Sequence, residues 1–568
     1  MRGQGSGQGL TVQVIAGTHT VLIGFDLEDP SGCLGFGLQR TDHTDDEVYW
    51  LRGMKTFKSV VLNPAPGTDF SQRYQPIQGF QWGDYTAKPE HEYTYKVVAF
   101  GGPPNTLTSL AEVSVDVKTE PEDDGAHGIW FNRGIAGSQA YVKHFGESTP
   151  PVGAAEDGPE FAWLSRGLGE AFVAFVGQAI DADWGLRGAF YEFTWQTGLK
   201  ALADAVNAGA DVSLIVHGRD KDAAGGADKD HTAADNRASV TEAGLDPAVT
   251  WRTAANSSAL QHNKFLVLTH LGQAVAVWTG STNLTQGAVF GHLNVGHLIH
   301  DPAVAQQFLD YWGELEDQTH TTATMRTWSE AHNQIDLTAE PAPGMTTVFS
   351  PRTTTSTLLT WYATIFDGAT SSAHITGAFG LNKVFRDKLG VDRDVVRTVL
   401  LDQEPHINEG IPTVDSDVRV SWGDYVHQPL FDRWVQEHLT NFNVWVKFIH
   451  TKIILVDPLT TTPTIITGSA NYSDNSTTDN EENSVLLRGN GSDAVQRVAD
   501  IYLTEYQRLF MHFVFRDWIN RPPVDPGVAP QAGPGTPYLI EDDTWSDRYY
   551  VPGSWPARQR QTFAGTLG

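Results

Sequence analysis

Two stretches of the chain carry polar side chains that an ordinary buried strand has no reason to hold. Residues 450–483, HTKIILVDPLTTTPTIITGSANYSDNSTTDNEEN, place His450 two positions before Lys452, then an apolar run, then Gly468, Ser469 and Asn471, and finally Glu482. Residues 262–283, HNKFLVLTHLGQAVAVWTGSTN, repeat the order with His262, Lys264, Ser281 and Asn283. Side chains two apart on a strand emerge on one face, so each histidine points with its lysine. An imidazole can attack phosphorus or protonate a leaving oxygen, and ammonium and amide N–H groups can hold nonbridging oxygens. Glycine permits the tight turn before the serine and asparagine. Two half-sites face to face supply two His, two Lys and two Asn, a kit for phosphodiester cleavage that requires neither metal nor cofactor.

HTKIILVD followed by GSANYS resembles the His-x-Lys-x4-Asp and Gly-Ser-x-Asn signature of the phospholipase D superfamily. The resemblance spans roughly residues 130 to 520. It implies two α/β halves pairing one motif each around a shared site, and catalysis through a phosphohistidine intermediate. It also implies that Asp457 is a structural support and that Glu482 stands where the family places an acid orienting the motif histidine. The first copy departs from the pattern in two places. Thr269 occupies the Asp position, and GHLNVGHL offers no carboxylate to match Glu482, only His292, Asn294 or His297 as substitutes.

That asymmetry suggests roles. A carboxylate beside an imidazole raises its pKa, so Glu482 is expected to partner His450 and suit it to general-acid duty. His262, without such a partner, is expected to stay neutral and to be the nucleophile, as the family's habit of attacking from the first half also implies. Asn283, Asn471, Ser281 and Ser469 are expected to hold phosphate oxygens. His217, His231, His270 and His374 are read as structural. No Ser-His-Asp order supports acyl transfer.

The elements that must position these groups follow an α/β plan: two pseudo-equivalent phospholipase D-like α/β halves, preceded by an antiparallel β-sandwich domain. Short alternating runs separated by Gly, Pro and Asp clusters fill residues 1–118 and predict the sandwich. PEHEYTYKVVAFGG followed by LAEVSVDVKTEP resembles the last two strands of a fibronectin type III domain, with Tyr93 or Tyr95 as the packing tyrosine. Residues 119–128 read as a linker, 129–340 as the first half, 341–520 as the second, and 521–568 as a Pro/Gly-rich extended tail pinned by Trp545, Tyr549, Tyr550 and Trp555. Within the halves, residues 161–180, GLKALADAVNAGA, 303–318 and 493–519 have helical periodicity, and LRGAFYEFT and DVSLIVHG read as strands of a parallel sheet. The polar segment Asp220–Ala234 reads as a surface loop.

The formal charge of −29, from 68 acidic and 39 basic residues, repels polyanions, and no Lys/Arg-rich run offsets it. The expected substrate is therefore a phosphodiester, with a phospholipid head group favoured and nucleic acid the weaker alternative. A noncatalytic phosphate-binding module built on an eroded first half is the reading from another class. The sandwich is a candidate docking module for a partner. The single cysteine, Cys33, excludes an internal disulfide and reads as a small buried hydrophobe. No stretch approaches the roughly 20 apolar residues of a membrane span, and the first residues lack a signal-peptide core. A cytoplasmic location is the default expectation, with secretion by another route left open.

Overall fold

The computed structural model describes residues 1–64, 68–134, 141, 144–145, 156, 158–219, 231–253, 259–404, 411, 417–423, 446–520 and 537–567. Most of the polar segment expected to be a loop at 220–234, and the first part of the tail, 521–536, lie outside these residues. The end of that polar segment is helical, because Thr232 opens the helix Thr232–Ala243.

The N-terminal residues form two antiparallel four-stranded sheets. One runs Arg2–Gly7, Leu10–Ala16, Val21–Leu27, Gln81–Asp84, and the other Thr108–Lys118, Glu92–Gly101, Cys33–Asp42, Glu47–Trp50. Strict alternation places Ala111, Val113, Val115 and Val117 inward on Thr108–Lys118. Both expected packing tyrosines are buried: Tyr93 Oη accepts the Lys88 N–H at 3.0 Å, and Tyr95 Oη donates to Asp84 Oδ2 at 2.9 Å. Cys33 is buried as expected.

The two halves follow one plan. In chain order the first has strands His127–Phe131, Trp184–Phe190, Asp211–His217, Val249–Arg252, Lys264–His270, Gln273–Gly280 and Val295–Ile299. The second has Gly344–Ser350, Ser372–Gly377, Val396–Leu401, Val418–Trp422, Ile453–Val456, Thr464–Gly468 and Glu482–Arg488. Across each sheet the order is first, seventh, sixth, fifth, second, third, fourth. The sheets are mixed, contrary to the parallel sheet read from the β-α-β order. Only the second, third and fourth strands are parallel, and the motif strands return by hairpins that must pair antiparallel.

Helices cover the sheets largely as the periodicity predicts. Pro302–Glu316 begins where Asp301 Oδ1 accepts the N–H groups of Ala303 and Val304, with proline in the first turn. The expected helix at 161–180 is split into Pro159–Ser165 and Leu168–Val176, because Arg166 and Gly167 both adopt positive φ. The helix Asp493–Asn520 is the central buttress: Tyr502, Tyr506, Leu509 and Phe513 share one core with strands of both halves. Its buried Glu505 pairs with Arg166 of the first half at 2.7 Å and accepts from Thr20 of the sandwich at 3.0 Å. The described end of the tail is not extended as expected but helical over Trp555–Ala564. Trp545 and Tyr549 pack into the sandwich core, and Trp555 joins the central core. Among the described residues, no helix is long and apolar enough to cross a membrane.

Candidate active site

The repeated motifs meet because each half pairs its backbone with the other. Gln261 forms a parallel bridge with Glu481, and Leu293 forms one with Ile449. His262 N–H donates to Glu481 O at 2.9 Å, and His450 N–H donates to Leu293 O at 3.0 Å. These two ladders are equivalent under the pseudo-symmetry of the halves, and they set the histidines beside one another in the interface.

Glycine is required where each second motif strand ends. Gly280 and Gly468 have φ of +133° and +153°, and a Cβ on either would come within 2.3 Å of a carbonyl oxygen, that of Val295 or Asn483. The turn delivers Ser281 and Ser469 against the last strand. There the structure departs from the expectation that these serines bind phosphate. Ser281 Oγ donates to Asn294 Oδ1 at 2.8 Å and Ser469 Oγ to Glu482 Oε2 at 2.8 Å, while the hydroxyls accept the N–H groups of Val295 and Asn483. Both serines are fully buried.

The orienting contacts cross between halves. Glu482 Oε2 lies 2.8 Å from Nδ1 of His262, so the expected partnership of Glu482 with His450 is corrected. His450 Nδ1 instead lies 2.9 Å from Asn294 Oδ1. Since Asn294 Nδ2 donates to Ala288 O at 2.9 Å, its carbonyl faces His450, and Nδ1 of His450 carries the hydrogen. A carboxylate can only accept when ionised, so His262 Nδ1 is protonated too, and both Nε2 atoms are left for substrate. Of the three candidate substitutes for the missing acid, Asn294 is the one in place. His292 packs its ring 5.1 Å from that of His450, and His297 bonds to His127 and Tyr502.

Lys264 and Lys452 are 2% and 1% exposed, and each Nζ donates to the carbonyl of its own motif histidine, at 2.8 and 2.6 Å. Burial lowers both: Lys264 falls to about 8, with Glu482 and Glu192 opposing, and Lys452 falls well below its usual range, with Lys264 adding to the effect. Burial likewise lowers His262 to about 4, Glu482 opposing, and pushes His450 well below its usual value, with Lys452, His292, Lys264 and His262 contributing. The two half-sites therefore act on one another electrostatically.

Asn283 is buried and its Nδ2 donates to Glu192; Asn471 is half-buried. Asp457 adopts φ +49° and accepts the N–H groups of Thr370, Ser371 and Ser372. Thr269, at the equivalent position, lies at the buried end of its strand opposite Gly185. His217 accepts the Gln261 N–H at 3.4 Å, and His374 Nδ1 bonds to Thr398 Oγ1 at 2.7 Å, both structural contacts. His270 stacks near Trp184, and His231 precedes the helix Thr232–Ala243.

Three contributors escaped the sequence reading. Asp402 accepts the N–H groups of Lys447, Phe448 and Ile449 and so fixes the approach to His450. Arg252 forms a buried ion pair with Glu481 at 2.6 Å, anchoring the segment whose carbonyl holds His262. Glu192 is the third, on the loop after Trp184–Phe190. Nothing in the local pattern marks Asp402 or Arg252. For Asn294 a signal did exist, since Ser281 to Asn294 and Ser469 to Glu482 are both separations of 13 residues.

The chain matches the family model described as cardiolipin synthase, PLD-like domain, over residues 181–315 and 390–507, one segment in each half. No curated protein sequence matches it. Among solved structures it is similar to the phosphatidylserine synthase of Haemophilus influenzae Rd KW20, with 10% identity, 60% of this chain and 85% of that chain covered, and a TM-score of 0.41. It is also similar to Nuc, a phospholipase D family member from Salmonella typhimurium, at 25% identity over 26% of this chain and 86% of that one, TM-score 0.21. Yeast tyrosyl-DNA phosphodiesterase is similar at 11% identity over 54% and 82%, TM-score 0.30.

Proposed function

As a member of the phospholipase D superfamily, this chain has the framework of the PLD-like phosphodiesterases, and we propose that it cleaves a phosphodiester through a phosphohistidine on His262. The observation that carries the reading is the Glu482–His262 contact at 2.8 Å. With Nδ1–H held by a carboxylate, the imidazole Nε2 presents its lone pair, and the developing positive charge on the ring is stabilised as phosphorus is attacked.

His450 is oriented by a neutral amide, so its protonated form is the stronger acid of the pair and donates to the leaving alkoxide. Lys264, Lys452 and the amide groups of Asn283 and Asn471 hold the nonbridging oxygens. In the second step His450 takes a proton from water, or from an acceptor alcohol, as that oxygen displaces His262 from phosphorus. Atoms balance: one P–O bond breaks, a P–N bond forms and is then replaced by a new P–O bond.

The favoured substrate is a phospholipid head-group diester. The net charge of −29 opposes association with a nucleic-acid polyanion. The test is a panel of phosphatidylethanolamine, phosphatidylglycerol and phosphatidylcholine vesicles and single-stranded DNA, assayed with chelator and acid-trapped for phosphoenzyme. Head-group release with label on residue 262 is the expected result. Nucleotide release instead would redirect the substrate class, and label on residue 450 would reverse the roles.

A further inference from the structure

The two half-sites correspond position for position, with a change of residue type at Thr269 against Asp457 and at Asn294 against Glu482. His262, Lys264, Ser281 and Asn283 have counterparts in His450, Lys452, Ser469 and Asn471, and Asn294 has one in Glu482. The strand registers Gly188 with Leu266 and Ile375 with Ile454 extend the correspondence and set Glu192 opposite Phe379. The position that is a carboxylate in one half is in the other an aromatic residue that is 62% exposed.

Glu192 is pinned. Its carbonyl accepts the Leu284 N–H at 3.1 Å, and Phe193 bridges Leu284, so its loop is tied to the one bearing Asn283. Its carboxylate accepts from Asn283 Nδ2. An ionised carboxylate has no hydrogen to give, so this contact fixes the amide orientation and turns Asn283 Oδ1 the other way. That oxygen is buried and has no hydrogen-bond partner among the described residues, in a residue 4% exposed. Leaving a buried carbonyl unpaired is unfavourable, and the deficit disappears if a ligand supplies a donor. Glu192 also lies close enough to Lys264 and Lys452 to act on the charge of both. A phosphate held by those lysines would therefore have two acceptor groups beside it.

We propose that Glu192 and the Asn283 carbonyl form an acceptor subsite that binds an alcohol of the substrate diester bearing a hydrogen-bond donor, an ammonium N–H or a hydroxyl, beside the scissile phosphate. The inference rests on the phosphodiester reading and narrows its substrate class to diesters of amino alcohols or polyols. An acceptor pair rejects an alcohol that lacks a donor, because its polar atoms are then left unpaired.

The test uses four methyl phosphodiesters, of ethanolamine, ethylene glycol, choline and ethanol, titrated calorimetrically into the full chain carrying His262→Gln to prevent turnover. The ethanolamine and glycol diesters should bind at least about tenfold more tightly than the ethyl diester. Glu192→Leu should remove most of that preference, and the isosteric Glu192→Gln, which keeps an acceptor oxygen, should retain it for the glycol diester. Equal affinity for the donor-bearing and ethyl diesters would overturn the proposal. So would a Glu192→Leu loss that is the same for all four, since Glu192 would then act only by holding Asn283. A choline diester bound as tightly as the ethanolamine one would also overturn it, because charge alone would explain the preference. Turnover of the ethanolamine diester by the unmodified chain decides the phosphodiesterase reading separately.

Discussion

Glu482 of the second half accepts from Nδ1 of His262 in the first, at 2.8 Å and with the carboxylate fully buried. Its counterpart, Asn294 to His450 at 2.9 Å, crosses the interface the other way. Each motif histidine is therefore oriented by the half it does not belong to, one by a charge and one by a neutral amide.

Replacing the nucleophile should cost more than replacing the acid. His262→Ala is expected to lower phosphodiester cleavage by at least about 10³-fold and abolish phosphoenzyme trapping. His450→Ala, tested with a p-nitrophenyl leaving group that needs little protonation, should still form phosphoenzyme. Phosphoenzyme persisting in His262→Ala would refute the assignment.

The two orienting residues should move opposite limbs of the pH profile. Glu482 favours protonation of His262, so Glu482→Gln should shift the acid limb of kcat/KM to lower pH while reducing its height. Asn294→Asp should place a charge beside His450 and carry the basic limb to higher pH. Profiles measured between pH 4 and 9 check both; limbs that stay in place in both variants would contradict the assigned roles.

Buried neutral histidines should make folding stability fall with acid. Burial lowers His374 to about 3 from an ordinary value of 6.5, so between those values the unfolded chain binds a proton that the folded chain does not. Stability is fully present above about pH 6.5 and is lost as the pH falls, at up to about 1.4 kcal/mol per pH unit for one such group. His374→Gln should flatten the slope of urea-derived stability against pH between 6 and 4.5. An unchanged slope would show that His374 titrates normally.

The Arg252–Glu481 ion pair is a structural anchor for His262. Arg252→Met leaves Glu481 buried and uncompensated, which should cost about 3–5 kcal/mol. Adding Glu481→Gln should recover part of that loss, and denaturant titration of the single and double variants measures the coupling. Additive losses would mean that the two side chains do not support one another.

Asp457→Ala is expected to weaken the fold rather than the chemistry. Its carboxylate accepts three successive backbone N–H groups from 370 to 372, and losing them should cost about 1–3 kcal/mol. A lowered melting temperature with kcat within about threefold of the parent is the expected pattern. A selective collapse of kcat would place Asp457 in the chemistry instead.

Much of this was legible locally. The offset of two between His262 and Lys264, the glycine before Ser281, the apolar runs between them and the repeat of all three at His450 are dictated by strand pleating and turn sterics. Those forces act over a few residues and leave a trace in the pattern. The equal separation of Ser281 from Asn294 and of Ser469 from Glu482 is such a trace as well. What the pattern could not carry is which histidine each orienting residue meets. Glu482 is 220 residues from His262 and Asn294 is 156 from His450, and only the bridges Gln261–Glu481 and Leu293–Ile449 bring them together. Periodicity records which side chains share a face; the partner of that face is chosen by packing two sheets and the helix Asp493–Asn520 into one core. That choice reversed the place of Glu482, spent the serines on orientation, and set Glu192 beside Asn283.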